Sequence, residues 1–233
     1  MKIYQCTNVG KVRTNNEDSL LVTDPNIFVA ADGMGGAAAG EIASQMLVDT
    51  VKNFLSNVPE PLDENILSKA ILKSNAAILR KAKENSNLRG MGTTATILHI
   101  YKNLAYFAHV GDSRLYRLKN SALEQMTLDH SYVESLVRQG ELTPAQAKNH
   151  PMKNLLTQAV GVMENIQVDT GNFEIEGGEK FLLCTDGLTN MVEDEQIKKI
   201  LSESSNPADD LIQAALDNGG HDNITAIVVC AYD

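Results

Sequence analysis

The residues with the most chemistry to offer are carboxylates that close or border apolar runs. Ile27–Asp32 reads IFVAAD and continues into Gly33-Met-Gly-Gly36, and Phe181–Asp186 reads FLLCTD and continues into Gly187. Asp112 follows the run YFAHVG, Asp222 stands just ahead of Ile224–Ala231, and Glu17-Asp18 stand ahead of Leu20–Val22. Taken singly, each has an ordinary reading as a turn, because Asp and Gly both tolerate positive φ and Asp-Gly after an apolar run is a hairpin signal. Taken together, carboxylates at several strand ends can converge on one rim of a sheet. Oxygen ligands of that kind suit hard divalent cations such as Mg²⁺ and Mn²⁺. A glycine after Asp32 lets a main-chain carbonyl approach such an ion closely. Without cations the cluster would raise its own pKa values by repulsion, so bound metal is its natural compensation.

The glycines themselves do not make a nucleotide loop. GMGGAAAG lacks the Lys-Ser/Thr of a P-loop. It carries alanine at the last glycine of the dinucleotide fingerprint, and no acidic residue after a second parallel strand supports that reading. The alanines and Gly40 are better suited to letting the following helix pack closely on a sheet.

Positioning the carboxylates requires strands, and the sequence supplies them unevenly. Glu41 to about Leu55 has helical periodicity, as does the stretch after Asp63, a good N-cap. Thr93–Tyr101 and Leu104–Val110, joined by Lys102-Asn103, read as strands, as do Arg114–Leu118 and Ala122–Met126. Short runs separated by such turns indicate an antiparallel meander, not βαβ units. Residues 131–161 are helical but broken by Gly140, Pro144 and Pro151. Strands return at Ile166–Ile175, Lys180–Thr185 and Ile224–Ala231, around helices at Glu193–Ser202 and Pro207–Asp217, the latter with Asn206 as cap. No linker-like tract divides the chain, so the reading is α+β: one domain over 1–233 with a helical excursion near 131–161.

Bulk properties narrow the partners. The 233 residues carry 30 acidic against 20 basic side chains, a net charge of −10. Nucleic-acid binding, which depends on cationic contacts to phosphates, is not expected. No segment has the roughly twenty apolar residues of a membrane span, and the N-terminus lacks a signal-peptide core. Cys6, Cys184 and Cys230 are odd in number and far apart, which points to free buried thiols and a cytoplasmic location. The glycosylation match at Asn223–Thr225 carries little weight without a secretory signal.

The ordered set of motifs then identifies a resemblance that spans the chain. Arg13-x-x-Asn16-Glu17-Asp18, Asp32-Gly-Met-Gly-Gly36, Gly40-Glu41, Gly92-Thr-Thr94, Gly111-Asp-Ser-Arg114, Asp129-His130, Asp186-Gly187 and Asp222-Asn-x-Thr225 resemble the bacterial branch of the metal-dependent, type 2C protein serine/threonine phosphatases. The resemblance implies a four-layer α-β-β-α sandwich of two mostly antiparallel sheets flanked by helices, with the site at one end. It implies two Mn²⁺ or Mg²⁺ ions, and a third, looser position at Asp112 with Asp186. Asp32 would bridge the ions, Gly33 would offer its carbonyl, and Asp18, Asp186 and Asp222 would complete the metal set, with Glu17 and Asn223 supporting it. Arg13 would grip the substrate phosphate, and its planar fork suits that task. The implied reaction hydrolyses phosphoserine and phosphothreonine in proteins by direct attack of an activated water, without a phosphoenzyme. In agreement, no Cys-x₅-Arg phosphatase loop is present: Cys6 lies seven residues before Arg13. The implied partners are phosphorylated proteins, among them a Ser/Thr kinase and its substrates. A monomer is expected, and residues 131–161 correspond to a mobile flap.

One residue departs from the family pattern: Ala37 occupies a position where bacterial relatives usually carry histidine. It is the only feature favouring the alternative, a catalytically weak phosphoprotein-binding pseudophosphatase, and the intact carboxylates argue against that. None of the histidines is expected as a ligand. His99 and His109 fit satisfied structural residues in strands, His130 fits a loop anchor, and Arg114 fits pairing with a carboxylate. Because loss of a general acid costs roughly 10²–10⁴-fold with a poor leaving group, Ala37→His is expected to change turnover on phosphopeptides while leaving metal affinity largely unchanged. Unaltered kinetics in that variant would show that the departure has no catalytic cost.

Overall fold

Alternation along the strands sets the layers. Strand β3 (Ile27–Met34) sends Ile27, Val29 and Ala31 toward two helices, α1 (Ala39–Leu55) and α2 (Glu64–Glu84), where they meet Leu47, Val51 and Ile71. Its intervening residues Phe28 and Ala30 face the other way, onto Leu183, Ile227 and Val229 of a second sheet. A strand buried on both faces has no polar side, which explains the continuous apolar run IFVAA. In this computed structural model residues 1–35 and 39–231 are described, so Ala37 lies outside the described residues.

The first sheet runs in the order β2 (Asp18–Thr23), β3, β5 (Ala95–Tyr101), β6 (Leu104–Val110), β9 (Asp169–Glu174), and the two-residue β4 (Gly92–Thr93) pairs with the end of β3. The second runs β1 (Lys2–Asn8), β11 (Ile224–Cys230), β10 (Lys180–Cys184), β7 (Arg114–Lys119), β8 (Ala122–Gln125). Every pairing is antiparallel among the described strands. Helices α6 (Asp194–Glu203) and α7 (Pro207–Asp217) cover the outer face of the second sheet through Ile197, Leu201 and Leu211. The result is the expected helix–sheet–sheet–helix sandwich.

Residues 131–161 hold two short helices, α3 (Tyr132–Arg138) and α4 (Pro144–Lys148), each with a side-chain N-cap, from Ser131 and Thr143 respectively. The segment is tied back by an isolated bridge between Ser131 and Leu156 and another between Thr93 and Val160.

Several local expectations are corrected. Neither Asp-Gly pair is a hairpin turn: Asp32-Gly33 lies inside β3, with Gly33 in register with Thr93, and Asp186-Gly187 opens the short helix α5 (Asp186–Thr189). The strand expected over 166–175 begins only at Asp169, which pairs with His109. Its partner β6 ends one residue later at Val110, and without a partner the ladder stops. Strand β1 gives no strong signal because it is an edge strand whose side chains are exposed or half-buried. The three thiols are unpaired, but only Cys184 is buried; Cys6 and Cys230 are half-buried.

Leu98 sits between the sheets with 0% exposure, whereas Leu72 on the outer face of α2 is 43% exposed. Leu98→Ala is expected to lower the unfolding free energy by about 2–5 kcal/mol and Leu72→Ala by about 0.5 kcal/mol or less, as read from urea denaturation midpoints. Equal effects would contradict the inter-sheet placement.

Candidate active site

The layer between the sheets changes character at one end. Along β3 the face presenting Phe28 and Ala30 next presents Asp32, and Asp18 of β2 stands opposite it in register. On β11 the face carrying Val229 and Ile227 next offers Thr225 and then Asn223, and Thr185 follows Leu183 in the same way at the end of β10. Period-two alternation therefore places polar side chains from both sheets in one gap. Asp18 accepts from the Thr185 hydroxyl at 2.8 Å and the Thr225 hydroxyl at 2.7 Å, both on Oδ2. Because a hydroxyl has one proton, Thr225 must accept from the Thr7 hydroxyl 2.8 Å away.

Beyond this layer a cavity of about 390 Å³ opens. Arg13, Glu17, Asp32, Gly33, Asp112, Asp186, Asp222 and Asn223 all line it, although the sequence scatters them over two hundred positions. Asp18, expected among the ligands, does not line the cavity and lies behind Asp32. Asn223 acts as a staple: its side chain accepts the Glu17 N–H at 2.8 Å and donates to the carbonyls of Val9 and Asn15, each at 2.9 Å. Arg13 donates to Asp222 Oδ2 at 2.9 Å. Close backbone approach builds the wall beside Asp32, since a Cβ on Gly33 would stand 2.2 Å from the Gly40 carbonyl oxygen and 2.5 Å from that of Glu17. Gly40 thus lets the start of α1 lie against β3.

The electrostatics are those of a cluster lacking counter-charge. Burial is the largest influence on each of Asp18, Asp32, Asp112 and Asp186, and neighbouring carboxylates push all four further up; Asp18 reaches about 7. Two carboxylate oxygens, Asp18 Oδ1 and Asp186 Oδ1, are buried without a hydrogen-bond partner among the described residues. Such orphans are costly unless something satisfies them. Among the described residues no three His, Cys, Asp or Glu side chains stand as a ready ligand group. The donor set nevertheless fits Mg²⁺ or Mn²⁺: such ions take one or two carboxylates and keep several waters, so a lined, roomy pocket suits them better than a closed cage. Asp32, Gly33, Asp112, Asp186 and Asp222 all line the cavity, so oxygen donors of that kind are gathered on its walls.

Other residues fall outside the carboxylate set. Arg114 pairs with Asp129 through both carboxylate oxygens, at 2.9 and 2.7 Å. His130 anchors a loop, accepting the Gly111 N–H at 3.2 Å and meeting Asp169 at 3.1 Å. His109 is fully satisfied, and burial pushes it down to about 4. His99 departs from expectation: it is buried, neither ring nitrogen has a hydrogen-bond partner among the described residues, Nε2 lies 3.7 Å from Glu60 Oε1, and burial lowers its pKa. Sequence reasoning did not single out Thr185, Asn154 or Leu156, the last two of which line the cavity. Only Thr225 and Thr94, which accepts the Asp32 N–H at 2.8 Å, were visible as motif members.

The comparisons with known proteins agree with this fold. The family model described as Protein phosphatase 2C matches residues 10–219. The chain is 40% identical over 234 residues to a serine/threonine phosphatase stp of Listeria welshimeri, covering 96% of this chain and 93% of that one. It superposes on the crystal structure of the Mycobacterium tuberculosis serine/threonine phosphatase PstP/Ppp with a TM-score of 0.93 at 35% identity, over 100% of this chain and 99% of that one. A structure of the PstP catalytic domain in complex with two manganese ions superposes with a TM-score of 0.91 at 34% identity, over 100% and 98% of the respective chains.

The raised carboxyls make stability depend on pH. Between the ordinary carboxylate range and their raised values, about 7 for Asp18, the folded chain binds more protons than the unfolded chain. Its stability therefore falls as pH rises through that window. In chelator, Asp32→Asn is expected to melt higher than the unsubstituted protein, with a gap that widens from pH 5 to 7.5 at about 2–4 °C per kcal/mol. Thermal melts at a series of pH values check this, and a gap independent of pH would refute it.

Proposed function

The chain belongs to the protein phosphatase 2C family, and from that premise we propose that its acidic cavity removes phosphate from phosphoserine and phosphothreonine side chains of proteins. The observation that carries this reading is the placement of a single guanidinium, Arg13, at the mouth of a pocket floored by carboxylates. A cation-rich pocket without carboxylates would only bind phosphate, and carboxylates without the arginine would repel it.

In this reading Asp32, Asp186, Asp222 and the Gly33 carbonyl would hold two divalent cations, Mn²⁺ or Mg²⁺, and Asp112 with Asp186 would hold a third. Such ions supply Lewis acidity, lowering the pKa of water and neutralising phosphate charge. Arg13 orients the phosphate. Its pair with Asp222 is open to solvent, at 56% and 33% side-chain exposure, and exposed pairs contribute only about 0–1 kcal/mol. A phosphate dianion can therefore take over the guanidinium at little expense, which leaves the Asp222 carboxylate as an oxygen donor. Asn223 keeps Glu17 at the rim through its backbone, and Asp18, anchored by Thr185 and Thr225, backs Asp32. A new P–O bond forms from water, the ester P–O bond breaks, and the serine or threonine oxygen leaves with a proton.

Nothing in this scheme uses a thiolate. Burial pushes the Cys6 thiol up to about 11 and the Cys184 thiol to about 12, so both stay protonated at neutral pH. We further read residues 131–161 as a flap over a single domain, and the substrates as phosphoproteins of a Ser/Thr kinase pathway, including the kinase. The unpaired thiols suit action in the cytoplasm, and we read the protein as a monomer. No helix among the described residues is long and apolar enough to cross a membrane.

The test is phosphate release from a phosphothreonine peptide with Mn²⁺ and after chelation. Release is expected only with metal, to collapse in Asp222→Asn, and to fall about 10²–10³-fold in kcat/KM in Arg13→Ala, the range for losing one transition-state donor. No release by folded, metal-loaded protein would turn the reading toward a phosphoprotein-binding role.

A further inference from the structure

A second cavity, about 250 Å³, adjoins the first and shares Asp112, Asp186 and Asn154 with it. It is smaller than the roughly 300–1,000 Å³ of small-molecule sites, and is scaled to one side chain. One wall comes from α3 and α4, the other from α5 and the start of α6. Val133, Val137 and Val192 give it an apolar lining.

Its charges are unequally matched. The Arg114–Asp129 pair is closed on itself, and Lys148 pairs with Glu193. Beside Asp112 and Asp186, which line the first cavity as well, two carboxylates remain. Glu134 has no side-chain hydrogen bond or ion pair among the described residues, and burial pushes its carboxyl up. Asp194 accepts only a 3.3 Å hydrogen bond from the Tyr116 hydroxyl. Among the described lining residues Lys153 is the one cation without a pair, and Arg138, one turn on from Glu134 in α3, offsets part of the rise at the Glu134 carboxyl. Apolar walls leading to excess negative charge match a side chain with an aliphatic stem and a cationic head.

We propose that this cavity is a specificity subsite, in which Glu134, assisted by Asp194, receives a lysine or arginine side chain flanking the phosphorylated residue of the substrate. The proposal rests on the phosphatase reading, because the shared wall at Asn154 joins the cavity to the phosphate position. It makes residues 131–161 a recognition surface for basic phosphopeptides. A small aryl phosphate, which reaches only the first cavity, is indifferent to it.

The experiment measures kcat/KM on phosphothreonine peptides that are identical except for lysine, norleucine or glutamate at each flanking position in turn. An alanine-flanked peptide and p-nitrophenyl phosphate serve as controls. At one position lysine is expected to exceed norleucine by about 3- to 5-fold, the upper effect of a partly exposed ion pair. Glu134→Gln should reduce that ratio to about twofold or less and leave both controls unchanged, and Asp194→Asn should reduce it by a smaller factor. Equal rates for lysine and norleucine at every position would overturn the proposal, as would a lysine preference that survives Glu134→Gln. A glutamate preference lost in Lys153→Gln would instead assign the cavity to an acidic side chain. Activity on the control substrates tests the phosphatase reading separately, so failure of the subsite and failure of that reading are distinguishable.

Discussion

Mutual repulsion among carboxyl groups held at the end of an otherwise apolar layer is the constraint on which this end of the molecule depends. Asp18 and Asp32 occupy the same inter-sheet face as Phe28 and Ala30, and Asp112, Asp186 and Asp222 crowd toward them. Folding on its own gains nothing from that arrangement. The hydroxyls of Thr185 and Thr225 offset part of the cost at Asp18, and Asn190 donates to Asp186 Oδ2 at 3.0 Å. Two oxygens find no hydrogen-bond partner among the described residues. A protein that keeps such a cluster keeps it for a ligand of opposite charge.

The rest of the fold makes the cluster rigid. Asp32 and Asp18 lie on paired strands, and Asp186 opens a helix directly after a strand buried along its length. The two buried or half-buried arginine pairs, Arg117–Glu179 and Arg114–Asp129, are closed bidentate contacts that fix loops and strand ends. The Arg13–Asp222 contact differs from them in being exposed and single-pointed. That contrast separates two arginines that hold structure from one whose contact is open to exchange.

Legibility followed burial. Strands β3, β5 and β11, buried on both faces, are visible as continuous apolar runs, and α7 matches its expected Pro207–Asp217 bounds. Edge strand β1 was illegible because pairing to β11, not apolar pattern, makes it a strand. The start of β9 was misplaced because a strand extends only as far as its partner does. The Asp-Gly pairs look like turns locally, and only cross-strand pairing to β4 and the helix after β10 override that preference.

The sequence by itself determined the chemical identity of the site: hard oxygen donors, one guanidinium, no reactive thiol, and an ordered motif set that names the family. These follow from side-chain type and order, which no folding step alters. The tertiary structure decided how those residues divide the labour. Asp18 becomes a buried support instead of a wall of the cavity, Asn223 a staple across two loops, and Glu134 an unpaired charge in a neighbouring pocket. Each assignment depends on which partner lies within hydrogen-bonding reach across long stretches of chain, and that distance exists only once the two sheets have packed.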